Sequence, residues 1–199
     1  IKGFQKTWDD LNHLLTNNYA WCDRLQGIAI IDQKLCEEYM CTGPIIRGAG
    51  VPYDIRKAYP YLGYQEYQFN IPTRKEGDAY ARYLVRLEEM LESISIIKQA
   101  LDKLMPGPVI VDNRKVALPP RHELARSMEA VIHQFKLVSE GLHPPVGCIY
   151  NAVESARGEL GHYLESNGGN RPYRLRVRSP SFPAVEILGK VLDGLLLSD

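Results

Sequence analysis

Residues 77–108 read GDAYARYLVRLEEMLESISIIKQALDKLMPGP, and this stretch decides the fold. Its apolar side chains recur every three or four positions over residues 80–104, without an internal glycine or proline. Asp78 stands where a helix N-cap belongs, and the Pro-Gly-Pro of residues 106–108 ends the pattern. The spacing predicts a helix of about 26 residues, about 39 Å long at 1.5 Å per residue, as the central strut of the fold.

A second helical pattern follows the Pro119-Pro120 pair. Its apolar stripe covers residues 124–138 and stops at Gly141, ahead of Pro144-Pro145. Glycine and proline are the usual signals at the end of a helix. We therefore expect a second long helix that packs antiparallel to the first.

Shorter elements precede the central helix. Residues 4–17 and 18–26 have helical apolar spacing and predict a helical hairpin. Asp32 is placed to cap a third helix, which Thr42-Gly43-Pro44 ends. Residues 43–77 are rich in Gly, Pro and Tyr, and we expect an ordered loop because so many exposed aromatic rings would be unfavourable in water.

Beyond Pro145 the apolar period changes from about 3.6 to 2, which is typical of strands. The predicted strands are residues 148–153, 160–165 and 173–178. Their short connections indicate an antiparallel meander, and the Asn-Gly within residues 166–170 predicts a tight turn between the last two strands. Residues 185–197 return to helical spacing.

These elements predict an α+β, mainly α fold, with long helices packed together beside a three-stranded antiparallel β meander. We divide the chain into a helical part, residues 1–145, with a Tyr/Pro-rich loop at 43–77, and residues 146–199, the meander followed by a helix. The chain starts at Ile1 and stops after an apolar run at 194–197. We therefore expect one structural domain of a longer polypeptide.

Composition excludes several classes of function. The 199 residues carry 24 Lys plus Arg and 24 Asp plus Glu, so no overall field attracts nucleic acid or an anionic membrane. No apolar run approaches the roughly 20 residues of a membrane-spanning helix. Cysteines occur at positions 22, 36, 41 and 148 without a Cys-x-x-Cys pair, so we predict reduced thiols, no disulfide and no bound metal.

Side chains of catalytic type are scattered. The histidines at positions 13, 122, 133, 143 and 162 lack the i, i+3 or i, i+4 spacing of a metal site. Gly48-Ala49-Gly50 has neither a preceding strand nor the Lys-Ser/Thr ending of a phosphate loop. There is no Gly-x-Ser-x-Gly elbow, and no cysteine has an identifiable His partner. We assign no catalytic residue and no metal ligand.

The last predicted strand carries a row of arginines. Arg174, Arg176 and Arg178 alternate with apolar residues, which places three guanidinium groups on one face. Such a face is either solvated and paired with Glu159 or Glu165, or a docking surface for an acidic partner or cofactor. We retain the three arginines as subunit-interface candidates.

The Tyr-rich stretch at residues 53–67 has basic neighbours, Arg47, Arg56 and Lys57. Aromatic side chains and arginine are enriched at the anchors of protein interfaces. These three residues are therefore also interface candidates, and the alternative is a loop that covers the core.

The string ESARGELG places two carboxylates, Glu154 and Glu159, on either side of Arg157. Gly158 and Gly161 lack side chains where another backbone or a cofactor could approach closely. By these residues alone, the string is a charged turn at the start of a strand.

Several phrases together resemble one family, the D subunit of proton-pumping NADH:quinone oxidoreductase (respiratory complex I), called the 49-kDa subunit in mitochondria. They include Thr42-Gly43-Pro44, Asp54-Ile55-Arg56-Lys57, Gly77-Asp78, Arg82-Tyr83-Leu84-Val85-Arg86, Glu88-Glu89-Met90, Pro119-Pro120-Arg121, Ser127-Met128-Glu129, His133-Gln134-Phe135-Lys136, the ESARGELG string and Arg171-Pro172-Tyr173-Arg174. The match is in order from about residue 10 to the end.

The resemblance implies a fold shared with nickel-iron hydrogenase large subunits, in which a string similar to Glu-x-x-Arg-Gly-x-Leu lies near the metal centre. It makes Arg157 the quinone-cavity candidate, with Glu154, Gly158, Glu159 and Gly161 supporting the same motif. The quinone-head ligands of the family, a His and a Tyr, precede this segment. The resemblance therefore implies that this piece alone neither binds nor reduces quinone.

At the level of the complex, the resemblance implies quinone and NAD as cofactors, none of them bound by this piece alone. The implied partners are other complex I subunits, especially the small subunit with the terminal iron-sulfur cluster, the C subunit and the membrane subunit of the quinone channel. No nucleic-acid partner is expected. The implied location is peripheral, on the cytoplasmic face of a bacterial inner membrane or on the matrix side in mitochondria.

Two alternatives stay open at this point. One is the large subunit of a complex-I-related membrane-bound nickel-iron hydrogenase, which needs two Cys-x-x-Cys pairs that this sequence lacks. The other is a non-enzymatic helical interaction module.

Overall fold

The computed structural model describes residues 2–196. The chain is 46% helical and 12% strand, and the predicted α+β class is confirmed. The described α-helices are α1 Lys2–Leu11, α2 Tyr19–Leu25, α3 Gln33–Glu38, α4 Pro44–Gly48, α5 Ile55–Ala58, α6 Ala79–Asp102, α7 Arg121–Leu124, α8 Met128–Ser139, α9 Ser181–Glu186 and α10 Leu188–Val191. The strands are β1 Gly147–Ser155, β2 Gly158–Ser166 and β3 Arg174–Arg178.

The central helix α6 confirms the prediction from the apolar stripe. The Asp78 carboxylate accepts the Ala81 N–H at 2.7 Å and begins the helix. Val85 and Leu87 of this helix are both buried. Three short elements, α4, α5 and a 3₁₀ turn at Tyr64–Glu66, lie in the stretch that was predicted to be an ordered loop.

The second long helix was predicted without interruption, and this prediction is wrong. The helix is divided into α7 and α8 at residues 125–127. The Ser127 hydroxyl accepts the Ala130 N–H at 3.3 Å and caps α8. A serine that bonds its local backbone competes with continuous helix, which explains the break.

The strands form one antiparallel sheet in the order β1-β2-β3, as the meander prediction requires. The tight turn, however, joins β1 to β2 and consists of Ala156 and Arg157. The Asn-Gly pair lies in a longer connection, where the Asn167 side chain accepts the Gly169 N–H at 3.1 Å. This local hydrogen bond satisfies the Gly169 N–H, which a tight hairpin would have used between the strands. The predicted position of the tight turn is therefore wrong.

The chain divides into two compact units. Unit 1 contains residues up to Lys103, residues Ala152–Gly161 and residues from Arg178 onward. Unit 2 contains Leu104–Asn151 and His162–Val177. Helix α6 belongs to unit 1, and helices α7 and α8 belong to unit 2. The predicted division near residue 145, and the single domain, stay predictions.

The buried core of unit 1 joins residues that are distant in sequence. Ile31, Cys36 and Cys41 pack with Ile187, which is only 1% exposed. The helix predicted over residues 185–197 is replaced by the short helices α9 and α10. In the described part of that range, residues 192–196 are not helical, and position 197 lies outside the described residues.

Candidate functional site

The turn between β1 and β2 carries Arg157 on the surface of unit 1. Arg157 is exposed, and its Nη1 donates to the Ser181 hydroxyl at 3.2 Å. Two residues form the turn, so the position of Arg157 depends on how the adjoining strand ends are held.

Backbone packs directly on backbone beside this turn. Gly43 has φ +71°, and a Cβ there would lie 2.5 Å from the Gly158 Cα and 2.6 Å from the Arg157 carbonyl oxygen. Gly158 has φ +126°, and its Cβ would lie 2.6 Å from the Thr42 Oγ1. Both positions require glycine, in agreement with the close approach predicted at Gly158.

A buried arginine lies beneath the end of β1. Arg47 is 2% exposed, and its Nη2 donates to the Glu154 Oε1 at 2.8 Å. Its Nε lies 2.6 Å from the Glu89 Oε1, and its Nη1 lies 3.4 Å from the Asp54 Oδ2. Arg47 thus neutralises carboxylates from three separate segments. We call Arg47, Asp54, Arg56, Glu89 and Glu154 the buried ion cluster.

The carboxylates of the buried ion cluster differ in pKa. Burial raises the pKa of Glu89 and of Glu154, although the charge of Arg47 opposes this. Burial also disfavours ionised Asp54, but the hydrogen bonds and charge of Arg56 outweigh it and hold the pKa of Asp54 below its ordinary value. The Arg56 Nη2 donates to the Asp54 Oδ2 at 2.6 Å.

The lowered pKa of Asp54 predicts a loss of stability in acid. Unfolded Asp54 takes up its proton near 3.8, and folded Asp54 takes it up only at lower pH. The stabilisation is therefore present above that value and is lost as the pH falls through the folded pKa. We expect Asp54→Asn to flatten the decline in unfolding free energy as the pH falls below about 4 in urea titrations.

Exposed Asp112 provides the control for this experiment, because Asp112→Asn removes a carboxylate without altering the buried ion cluster. The Asp112→Asn chain is expected to keep the wild-type slope below pH 4. Equal slopes for Asp54→Asn and wild type would contradict the assignment.

Two tyrosines of residues 53–67 hold the same strand ends. The Tyr61 Oη accepts the Glu154 N–H at 2.8 Å, and the Tyr53 Oη donates to the Glu159 Oε2 at 3.0 Å. Burial, together with the hydrogen bond to Glu159, raises the pKa of Tyr53 to about 12, so its phenol is a neutral donor at physiological pH. The Thr42 Oγ1 accepts the Glu159 N–H at 3.1 Å.

An apolar cavity of about 500 Å³ adjoins the turn at Ala156. Ile94 and Ile97 of α6 contribute apolar walls, and Arg86 and Glu89 contribute polar groups. Such a lining suits a molecule that combines an apolar body with a few polar atoms.

The three interface candidates from the Tyr-rich stretch have different environments in the structure. Arg47 was predicted at the surface, but its side chain is buried among carboxylates and is inaccessible as a surface anchor. Arg56 is paired with Asp54, and its guanidinium carbon lies 4.9 Å from the centre of the Phe69 ring. The Lys57 Nζ lies 4.8 Å from the same ring centre. These ring contacts agree with the alternative of a loop that covers the core, while Arg56 and Lys57 stay predicted interface residues.

The arginines of β3 have separate environments. Arg174 is 60% exposed, and its Nε lies 4.0 Å from the Glu165 Oε2, as the solvated alternative expected. Arg176 is also exposed. Arg178 is half-buried and donates to the carbonyl oxygens of Glu159 and Met40, at 2.9 and 2.8 Å, rather than to a carboxylate.

Three of the residues predicted to support the Arg157 motif lie around the turn: Glu154, Gly158 and Glu159. The fourth, Gly161, is buried further along β2. Sequence reasoning missed Thr42, Gly43, Tyr53 and Tyr61 as members of the site. The family-like Thr42-Gly43-Pro44 phrase was the available signal. Nothing local to the two tyrosines indicated contact with residues about a hundred positions away.

Residues 2–196 bring together no group of three or more His, Cys, Asp or Glu side chains that could hold a metal ion. The four cysteines are free thiols in the structure. Within the described chain, no helix has both the length and the hydropathy needed to cross a membrane.

The chain thus combines an α+β fold with Arg157 exposed on a turn next to the buried ion cluster. One family model matches residues 1–199, and it is described as the 49 Kd subunit of respiratory-chain NADH dehydrogenase. The chain belongs to this family, and the resemblance read from its motifs is confirmed.

Curated relatives are named as the D subunit of NADH-quinone oxidoreductase. The protein of Protochlamydia amoebophila is 69% identical over 199 residues, which are 100% of this chain and 50% of that protein. The Rhodospirillum centenum protein is 49% identical over 198 residues, 98% of this chain and 50% of that protein. The Deinococcus radiodurans protein is 47% identical over 191 residues, 96% of this chain and 48% of that protein. The chain thus spans about half the length of these relatives.

Proposed function

We propose that this chain is part of the quinone-reducing module of NADH:quinone oxidoreductase. In this proposal electrons pass from NADH through flavin and iron-sulfur clusters on other subunits to quinone, coupled to proton translocation. The observation that carries the proposal is the family match over residues 1–199. The same match favours this function over the hydrogenase and the interaction-module alternatives.

The proposal includes the surroundings of the chain. Its partners are other complex I subunits, above all the small subunit with the terminal iron-sulfur cluster, together with the C subunit and the membrane subunit of the quinone channel. In the complex, this chain lies peripherally at the cytoplasmic face of a bacterial inner membrane, or at the matrix side in mitochondria. The fold is that of nickel-iron hydrogenase large subunits. NAD and quinone act at the level of the complex, and the isolated piece is inactive.

Arg157 is proposed to act electrostatically. Reduction places negative charge on the quinone oxygens before protons arrive, and a fixed guanidinium stabilises that charge. The exposed Arg157 side chain on a two-residue turn is accessible for this role. The apolar cavity beside Ala156 is a further support, because a quinone combines an apolar ring and tail with polar oxygens.

The function is tested by disrupting the gene that encodes this chain and assaying the membranes. We expect NADH:quinone reductase activity to disappear and to return with the intact gene. If hydrogen uptake disappears instead, the hydrogenase alternative is correct. If neither activity changes, the chain is an interaction module outside the enzyme.

Arg157→Met is expected to slow quinone reduction in these membranes by roughly 10- to 150-fold. This range corresponds to the loss of one charge-assisted hydrogen bond of about 1.5 to 3 kcal/mol. Arg157→Lys is expected to do less harm, because lysine keeps the charge and loses only the planar fork. The measurement is NADH:quinone reductase activity beside NADH oxidation by an artificial acceptor that bypasses the quinone site.

Exposed Arg126 provides the matched control, and Arg126→Met is expected to leave both activities unchanged. If Arg157→Met lowers both activities together, the arginine is structural. If it lowers neither, the proposed role is wrong.

A further inference from the structure

We infer that Thr42, Arg47, Tyr53 and Tyr61 are positioning residues that fix the β1–β2 turn and thereby set the place of the Arg157 guanidinium. We call these four residues the turn clamp. The inference rests on the proposed role of Arg157, and it adds residues that act through Arg157 without touching the quinone.

Each strand end beside the turn is held twice. On β1, Glu154 donates its main-chain N–H to Tyr61 at 2.8 Å, and its carboxylate accepts from Arg47 at 2.8 Å. On β2, Glu159 donates its main-chain N–H to Thr42 at 3.1 Å, and its carboxylate accepts from Tyr53 at 3.0 Å. Backbone and side chain are thus restrained at both residues that flank the turn.

The restraint acts from outside the hairpin. Alternate residues in an antiparallel pair direct their N–H groups away from the partner strand, where they remain available to other groups. Tyr61 binds such a group on β1, and Thr42 binds one on β2. The hairpin is therefore restrained on both of its edges, and a lateral shift of the turn would break bonds on each edge.

A steric contact limits movement in a further direction. The backbone at Gly43 packs so closely on Gly158 that even a methyl group would lie 2.5 Å from its Cα. Arg157 itself is exposed, and its guanidinium donates to the hydroxyl of Ser181 at 3.2 Å. Its location is consequently determined mainly by the main chain that the turn clamp holds.

Accurate placement matters because electrostatic stabilisation depends on distance from the developing charge, and a displacement of about 1 Å can cost about a hundredfold in rate. Thr42, Tyr53 and Tyr61 bind through uncharged hydroxyls, and the charge of Arg47 is paired with Asp54, Glu89 and Glu154.

The first arm of the test measures the clamp without reference to quinone. Thr42→Val removes the acceptor for the Glu159 N–H at nearly constant volume, whereas Thr42→Ser keeps a hydroxyl. In the purified complex, hydrogen-deuterium exchange of a peptide covering residues 154–160 is expected to accelerate about 2- to 12-fold in Thr42→Val. Thr42→Ser is expected to match wild type.

Tyr61→Phe is a second variant for the opposite edge, and it is expected to accelerate the same peptide. Tyr59→Phe is its control, because Tyr59 is 74% exposed and lies outside the clamp. Unchanged exchange in both Thr42→Val and Tyr61→Phe would overturn the inference at the level of structure.

The second arm links the clamp to Arg157 by a double-mutant cycle in membranes. Thr42→Val alone is expected to lower kcat/KM for quinone about 2- to 12-fold and to leave the artificial-acceptor activity unchanged. In an Arg157→Met background, Thr42→Val is expected to cause no further loss, because a positioning residue has nothing left to position.

Independent, multiplicative losses in the cycle would overturn the inference, since Thr42 would then act by another route. If Arg157→Met itself leaves quinone turnover intact, the proposed function of Arg157 fails and the positioning role fails with it. The exchange measurement distinguishes that case, because it shows whether the turn clamp restrains residues 154–160 even when Arg157 does not contribute to turnover.

Discussion

Arg47→Met is expected to lower the free energy of unfolding by about 3 to 5 kcal/mol, the usual cost of leaving buried charges without their partner. Methionine approximates the volume of the arginine stem, so the loss is mainly electrostatic. Asp54, Glu89 and Glu154 would remain in the interior, with Arg56 as the remaining cation of the buried ion cluster. The measurement is urea unfolding of the chain at neutral pH.

Two comparisons separate this effect from lost packing. Arg126→Met changes an exposed arginine and is expected to shift stability by less than about 0.5 kcal/mol. The deficit of Arg47→Met is also expected to shrink as the pH falls, because unpaired buried carboxylates gain protons readily. A deficit that is constant with pH, or one no larger than that of Arg126→Met, would contradict the electrostatic explanation.

Gly43→Ala is expected to produce the second large loss. The new Cβ would lie 2.5 Å from the Gly158 Cα and 2.6 Å from the Arg157 carbonyl oxygen, both of them backbone atoms that cannot rotate away. Overpacking typically costs about 1 to 3 kcal/mol, and a strained backbone at φ +71° adds about 1 to 3 kcal/mol. Urea or thermal unfolding measures the total.

Gly63→Ala is the matched control for this prediction. Gly63 also has a positive φ, +81°, but nothing lies within 4 Å of a Cβ built there. The control therefore carries backbone strain without the collision, and its loss is expected to be the smaller of the two. Equal losses would show that the Gly43–Gly158 contact relaxes freely.

The parts of the fold that sequence predicted well are those with a strong local signal. Helix α6 combines a long apolar stripe with a capping aspartate and a Pro-Gly-Pro stop, and its ends fall close to the predicted ones. The break before α8 depends on a single serine cap. It could not be predicted from the apolar stripe, because the stripe continues across the break. The Asn-Gly signal predicted a tight turn, but the side chains around it stabilise a longer connection instead.

The site was predictable only in part, for a physical reason. The ESARGELG string and its family resemblance located Arg157 and the close approach at Gly158. The buried state of Arg47 depends on carboxylates at residues 54, 89 and 154, which only tertiary structure brings together. In the sequence, an arginine beside tyrosines resembles an interface anchor. Whether it is buried depends on carboxylates of the same chain that are distant in sequence.

The core position of Ile187 has a consequence for synthesis of the protein on the ribosome. Ile187 packs against Ile31 and Cys36, so a nascent chain that has emerged only through the central helix lacks the residue that closes this core. Contacts of such large sequence separation slow folding and leave apolar surface exposed meanwhile. The apolar side chains of this core are therefore expected to stay incompletely packed until residue 187 has emerged.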